Sequence, residues 1–408
     1  MIRIFLPNLT FEEELDGRDQ QVSGTVVRLV SELGCAMGLL SDRTKRFEER
    51  DIVLIDDDVD LSGIPESLQQ VRFQTVRSLE AGGVPDPVFV PWGWSPSAVA
   101  VAHRLGLNPE APALSTIRRI NSREFLAEFD LCHALSDSTA VESVGILCWT
   151  LPDVQSALER FAVEHSKGWV IKSNISQAAR NRLIGNRRFL SENDTRWLNN
   201  RFKIGEPVCA EPWLDCIAEC GMQFTIPAPA ESQEIRFEGA AEMLTDTAGR
   251  YRGSVISRDS TASWWHSAVM HCRQIAERVR ACGFWGPIGM DCMLFRRPLD
   301  GLPWIRMCHD INGRNTMGRV ALALRPYLDV DEIGYWCHGS EKSKANGQNV
   351  FDCLDATDVR IVPTSPDRIG STPTNLRTAL LISKDCERLN QVTRKILGQN
   401  IRGPFTPN

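Results

Sequence analysis

The chain has 408 residues, enough to bury a large core divided over two or three domains. Its 42% hydrophobic and 24% charged composition is that of an ordinary soluble globular protein, with 46 Lys plus Arg set against 52 Asp plus Glu for a formal net charge of −6. That balance opposes general attraction to phosphate backbones or anionic lipid, so neither nucleic acid nor a membrane is expected as a partner.

The N-terminus, MIRIFLPNLTFEEELDG, has a short apolar start followed by acids, the wrong order and length for a secretory signal. No apolar run approaches the roughly 18 residues of a membrane span, so a cytoplasmic location is expected. MIRIFL predicts a first strand, residues 22–40 a helix, DIVLID (51–56) a second strand, residues 68–81 a helix, and PVFVPWGW (87–94) a third strand entering a Trp/Gly loop. This is the βαβ rhythm of a small parallel sheet, an α/β domain over 1–114 with WGWSPS among its ligand-facing loops.

Residues 115–206 are richer in helix (NSREFLAEFDLCHAL, then LPDVQSALERFAVEHS), followed by the strand GWVIKSNIS and a polar stretch, QAARNRLIGNRRF, that reads as loop. Residues 207–335 carry strands (PVCAEPWL, CGMQFTI, QEIRFEGAAEML), a helix over 264–282 and a hairpin over 290–312, an α+β pattern. Residues 336–408 add a strand at 358–365, a Pro/Ser/Gly/Thr loop and a closing amphipathic helix at 375–397. No repeat or low-complexity tract occurs. The 13 cysteines are scattered without a CxxC pair, which predicts mostly reduced, buried thiols and no zinc site.

The hairpin MDCMLFRRPLDGLPWIRMCHDIN carries the chemistry. Asp300-Gly301 between apolar runs predicts a two-residue turn, and that turn sets Asp291 directly opposite Asp310. Pro298 and Pro303 flank it, so a longer loop with a register shifted by two is the alternative. Facing carboxylates repel unless a cation lies between them or one takes a proton. Asn312 and Arg314 follow at two-residue spacing on the same strand face. Two carboxylates and an amide oxygen suit Mg²⁺ (or Mn²⁺), a hard ion completed by water and phosphate oxygens. The competing reading, a solvated sheet edge, fits poorly with the apolar Met290, Leu294, Trp304, Ile305 and Met307 around them.

With these residues in view, GPIGMDCMLF followed by WIRMCHDINGRNTMG resembles the C-terminal half of the ATP-grasp superfamily, and the likeness runs in motif order over residues 85–325. By resemblance, Asp291, Asp310 and Asn312 hold Mg²⁺ between the phosphates of ATP, and Arg314 meets the acyl phosphate or the substrate. Lys172, in GWVIKSNIS, matches the strand lysine that contacts nucleotide phosphates; the alternative is an edge lysine facing solvent. CAEPWL resembles the hinge between lobes, where Glu211 approaches the adenine amino group and the Leu214 backbone bonds the ring. Glu219, or else Asp215, takes the ribose hydroxyls, and Met293 floors the adenine. Arg123, in NSREF, stands where many members carry a phosphate-reaching lysine, with a solvated helix face as the equal alternative. Arg180 and Arg182 lie in the flap after Lys172, where a single glycine leaves guanidinium contacts to replace backbone ones. Asp310 departs from the more usual Glu. Gly289 stands where some ligases have an arginine, leaving Arg314 or Arg252 to supply that charge.

The resemblance implies a pre-ATP-grasp domain (1–114), two ATP-grasp lobes (115–206 and 207–335) and a strand-helix extension (336–408). It implies an ATP-dependent carboxylate-amine ligase working through an acyl phosphate on a small molecule or peptide, with small-molecule carboxylate and amine substrates. A small-molecule kinase on the same scaffold and a non-catalytic nucleotide-binding protein are the alternatives. Homodimers are common in the superfamily, but no interface is legible. GxxxxGK[ST] and GxSxG are both missing, and GFWGPIG is misspaced for GxGxxG.

Overall fold

The computed structural model describes residues 1–403 apart from 18–23, 57–60, 135–136, 165–166, 177–180, 187, 232–233, 259–263, 341–350 and 352–357. Chain order begins β1 (Arg3–Leu6), α1 (Phe11–Leu15), α2 (Gly24–Gly34), β2 (Ile52–Ile55), β3 (Arg72–Thr75), α3 (Val76–Gly82), β4 (Val88–Pro91) and α4 (Pro96–Arg104). The four strands form one parallel sheet in the order β3-β2-β1-β4. Ile52, Val53 and Leu54 are buried, as expected of a parallel strand covered on both faces. The helix expected over 68–81 is instead strand β3 followed by the short α3. The Thr75 hydroxyl accepts from the Ser78 amide at 3.0 Å, capping a helix that starts only at Val76, and RFQT before it pairs with β2. The helix expected over 22–40 tightens into a 3₁₀ segment at Cys35–Leu40. There a Cβ on Gly38 would lie 2.9 Å from Val71, so this turn packs closely on the sheet.

The next segment comprises α5 (Leu114–Ile120), α6 (Arg123–Leu126), β5 (Cys132–Ala134), β6 (Asp137–Glu142), β7 (Ile146–Cys148), α7 (Leu151–Glu164), β8 (Trp169–Ser173), β9 (Arg182–Gly185), α8 (Glu192–Phe202) and β10 (Val208–Pro212). An antiparallel sheet of order β7-β10-β8-β9 packs against α7 and α8 through Leu158, Leu198 and Ile171. Two expectations fail here. NSREFLAEFDLCHAL is helical only to Leu126, and its end becomes β5, paired with a distant hairpin; RLIG, read as loop, is β9 on the edge of β8. For β5 the ladder comes from β15, far along the chain, and for β9 from the neighbouring β8; in both cases pairing decides what local propensity did not demand.

The remainder is β11 (Asp215–Ile226), β12 (Arg236–Thr245), β13 (Tyr251–Ser257), α9 (His266–Ala281), β14 (Gly286–Arg296), β15 (Pro303–Asn312), α10 (Met317–Leu322), β16 (Ile333–Ser340), β17 (Arg360–Pro363), β18 (Arg368–Ile369), β19 (Thr372–Pro373), β20 (Leu376–Ser383) and α11 (Cys386–Leu397). A ten-stranded sheet runs β17-β20-β16-β13-β12-β11-β14-β15-β5-β6. The closing helix is shorter than expected, because 376–383 is the buried strand β20. Asp385 accepts from the Arg388 amide at 3.0 Å and starts α11 only at Cys386. No disulfide joins the described cysteines. Among the described residues no helix is long and apolar enough to cross a membrane.

The hairpin β14–β15 pairs Asp291 with Asp310, but not through the two-residue turn. Arg297 and Leu302 close a longer loop over 298–301 in which Gly301 adopts φ 71°. The register near the loop is Met293↔Arg306; an irregularity beyond it, with extra residues on the β15 side, brings Asp291 opposite Asp310. Gly253 marks another close approach. It has φ 152°, and a Cβ there would lie 2.1 Å from the Trp336 carbonyl oxygen on β16. Gly253→Ala is therefore expected to cost about 1–3 kcal/mol by forcing β13 from β16, read as a lower urea midpoint at unchanged slope. A midpoint within error of wild type would show that the sheet absorbs the methyl group.

Candidate active site

A cavity of about 540 Å³ lies where the ten-stranded sheet meets the small antiparallel sheet and the N-terminal domain. Lys172, Arg123, Glu211, Leu214, Glu219 and Met293 line it, as do Asp291, Asp310, Asn312 and Arg314. The described candidate residues thus reach one space except Asp215, the alternative to Glu219, which pairs with Lys167 at 2.7 Å, while Arg180 lies outside the described residues. Arg182 and Arg252 line it too.

The small sheet supplies a buried ion-pair chain. Lys172 on β8 and Glu211 on β10 are diagonal neighbours on one face, and Nζ donates to Oε1 and Oε2 at 3.0 and 2.9 Å. An ammonium has three donors, so one stays available to the cavity. Arg306 on β15, fully buried, donates to Glu211 Oε2 at 2.8 Å and clamps Asp130 through two bonds of 2.6 and 2.9 Å. Burial alone would push the Glu211 carboxyl up, but the Arg306 and Lys172 charges hold it well below the usual range. The side chain expected to approach adenine is therefore engaged in positioning Lys172. Arg306 and Asp130 were not anticipated; the one signal was a lone charge inside the apolar stretch WIRMC.

The hairpin supplies the acids. Asp291 and Asp310 face each other, with Asn312 Nδ2 donating to Asp291 Oδ2 at 3.3 Å. Burial, then the nearby charges of Asp310 and Glu219, push the Asp291 carboxyl up to about 8. A cation between the carboxylates would relieve that repulsion. The described residues contain no cluster of three or more His, Cys, Asp or Glu suited to a metal. Two carboxylates and one amide oxygen fit an ion that takes its other oxygens from phosphate and water, as Mg²⁺ does. Arg123 heads α6 and is buried, not solvated. Its NH1 donates to the Ser173 carbonyl at 3.1 Å and to Ser176 Oγ at 3.0 Å, and NH2 lies 3.8 Å from Asp310.

Arg314 is held on all three nitrogens: by Glu12 of α1, by the Asn315 carbonyl at 3.0 Å and by Asn312 Oδ1 at 2.9 Å. Its guanidinium carbon lies 5.8 and 5.7 Å from the Phe11 and Trp92 rings. The N-terminal domain thus orients this arginine, a role no sequence motif announced for Glu12. Glu219 pairs in register with Met293, and its Oε1 lies 3.6 Å from His309 Nε2. Burial first, then the positive charges of Arg306 and Lys172, keep His309 well below its ordinary range and so neutral.

No protein-family model and no curated protein matches the chain. Solved structures do. N5-carboxyaminoimidazole synthetase from Staphylococcus aureus complexed with ADP superposes with a TM-score of 0.53 at 11% identity, over 88% of this chain and 93% of that one. A biotin carboxylase–beta-gamma-ATP complex from Campylobacter jejuni gives 0.53 at 8% identity, over 98% and 92%. N5-carboxyaminoimidazole synthase from Aspergillus clavatus, in complex with ADP and 5-aminoimidazole ribonucleotide, gives 0.51 at 12% identity, over 97% and 98%. These likenesses establish the fold: an ATP-grasp architecture with an N-terminal parallel βαβ domain.

Proposed function

We propose that this protein is an ATP-dependent ligase that activates a small carboxylic acid as an acyl phosphate and transfers the acyl group to an amine. The observation that carries this reading is the convergence of Lys172, Arg123, Asp291, Asp310, Asn312 and Arg314 on one cavity, in an architecture whose solved neighbours bind ADP. A carboxylate is a poor electrophile until one of its oxygens becomes a phosphate leaving group. Its oxygen attacks the γ-phosphorus, the bond to the bridging oxygen breaks, and ADP departs. The amine nitrogen then attacks the acyl carbon and phosphate leaves, the nitrogen's proton passing to phosphate or solvent.

The side chains act by position and charge. Glu211 orients Lys172 toward the transferring phosphoryl group. Arg123 adds a second positive charge beside Asp310. Arg314, fixed by Glu12 and Asn312, faces the charge that develops on the acyl oxygen. Asp291, Asp310 and Asn312 would hold Mg²⁺, which neutralises charge between the β- and γ-phosphates when bound. In this reading Leu214 and Met293, which line the cavity, meet adenine, and Glu219 takes the ribose hydroxyls.

Isothermal titration of ATP with and without Mg²⁺, on wild type and Lys172→Ala, tests the nucleotide half. Mg²⁺-dependent binding should weaken roughly 10- to 100-fold in the variant, the worth of one charge-assisted hydrogen bond. Binding indifferent to both Mg²⁺ and Lys172 would remove the reading. ADP release that needs both an acid and an amine supports the ligase, whereas release with acid alone supports a kinase.

A further inference from the structure

The acid-activating reading leaves part of the cavity unused, and two sets of residues define it. One is polar. Arg252 on β13 lines the cavity, and its buried Nε has no hydrogen-bond partner among the described residues. It stands one residue beyond the Gly253↔Cys337 pair, which brings it beside His338 on β16. His338 is buried, its ring edge-on to Trp336 and Tyr251 at 4.4 and 5.2 Å, and its Nε2 is likewise without a partner among the described residues. Desolvation of two such groups is costly unless a ligand completes their hydrogen bonds.

The other set is apolar. Leu29, Val30 and Leu33 share one face of α2 and line the cavity together with Leu9, Leu376 and Met317. Their placement is built in. Glu32, on another face of α2, accepts from the backbone amides of Asn375 and Leu376 at 2.8 and 3.0 Å, which pins Leu376 beside the helix. Asn315 donates its backbone amide to the Trp92 carbonyl at 2.8 Å and its side-chain amide to the Pro91 carbonyl at 3.1 Å, tying the end of β4 to the bend after β15 that carries Arg314. The aliphatic wall and Arg314 line the same cavity. A triphosphate and its metal have no use for such a wall.

We infer that the acid this protein activates carries a branched aliphatic or aromatic side chain, seated against Leu29, Val30, Leu33 and Leu376, with its carboxylate held between Arg314 and the Arg252–His338 pair of the same cavity. The inference rests on the reading of the cavity as an acid-activating site and narrows its substrate to apolar carboxylates. An acid with a second charge would bury that charge against the wall uncompensated. Acetate would leave the wall unfilled.

The test is calorimetric titration of isocaproate, hydrocinnamate, acetate, succinate and isoamylamine into the full-length protein, with and without a non-hydrolysable ATP analogue and Mg²⁺. Isocaproate and hydrocinnamate should bind at least about tenfold tighter than acetate or succinate, since each buried methylene is worth about 0.8 kcal/mol. Val30→Thr, nearly isosteric and so able to fold, should shrink that ratio several-fold, and Arg252→Leu should weaken every carboxylate. Equal binding of acetate or succinate, preferential binding of isoamylamine, or a ratio untouched by Val30→Thr would overturn the inference. The nucleotide titration in the same sample separates the two ideas. Selective acid binding without nucleotide binding would sink the ATP-dependent reading and keep the pocket; nucleotide binding without acid selectivity would do the reverse.

Discussion

Asp291→Asn is expected to make the ligand-free protein more stable while reducing Mg²⁺-dependent ADP release by roughly 10²- to 10³-fold, the scale of losing one preorganised electrostatic group. Burial and the charges of Asp310 and Glu219 raise the Asp291 carboxyl to about 8 in the folded state, against an ordinary value of 3.8. Between those values the folded chain keeps a proton that the unfolded chain has lost. The contribution of this group to stability is therefore full below pH 4 and declines as pH rises toward 8. Asparagine has no such proton, so the variant should lose that slope and exceed wild type most clearly near pH 8. Mg²⁺ competes for the same oxygens, so its binding to wild type near pH 7 should release a proton and tighten as pH rises. Thermal unfolding from pH 5 to 8, with titrations in two buffers of different ionisation enthalpy, measures both effects. A less stable variant at pH 8, or Mg²⁺ binding without proton release, would show that the hairpin acids are not a charge-strained metal site.

Arg306→Met should have the largest effect on stability, a loss of about 3–5 kcal/mol in denaturant unfolding, because it strands Asp130 as a buried charge without its cation and leaves Glu211 with Lys172 alone. The pH dependence has the opposite sign to that of Asp291. Glu211 is held well below its ordinary 4.5, so its contribution is present above that pH and is lost only as pH falls through the depressed value. Without Arg306 the depression shrinks, and the acid-unfolding midpoint should move to higher pH. Lys172 would lose its fixed partner geometry as well, so ATP affinity should fall even where the variant is fully folded. Combining Arg306→Met with Asp130→Leu should recover part of the loss, giving a coupling energy that a merely bulky arginine would not show. A single-variant cost under about 1 kcal/mol would mean that water, not Arg306, compensates these carboxylates.

Local chemistry in the sequence was sufficient for strands β1, β2 and β4 of the parallel N-terminal sheet and for the β14–β15 hairpin with its facing acids, whereas Lys172, Arg123, Glu211, Leu214, Glu219 and Met293 were named through the family resemblance. Continuous apolar runs between turn residues and acids at two-residue spacing are short-range signals, and backbone geometry alone converts them into strands and faces. The facing of Asp291 and Asp310 was legible for the same reason, although the loop over 298–301 is longer than the Asp-Gly turn suggested, and the irregularity in β15 restores the pairing. Tertiary structure decided what depends on pairing and on distant partners. Segments 132–134 and 376–383 become strands because β15 and β16 offer them ladders, and 182–185 because it folds back on β8. Arg123 becomes buried because Ser173, Ser176 and Asp310 surround it, and Arg314 is aimed by Glu12, some three hundred residues away in the chain. The Asp130–Arg306–Glu211–Lys172 chain draws its members from three strands and a loop, and a desolvated charge is stable only where its counter-charges converge in three dimensions. Residue types and spacings named the chemistry; burial and long-range pairing determined which groups are charged, which are held and where space is left for an acid.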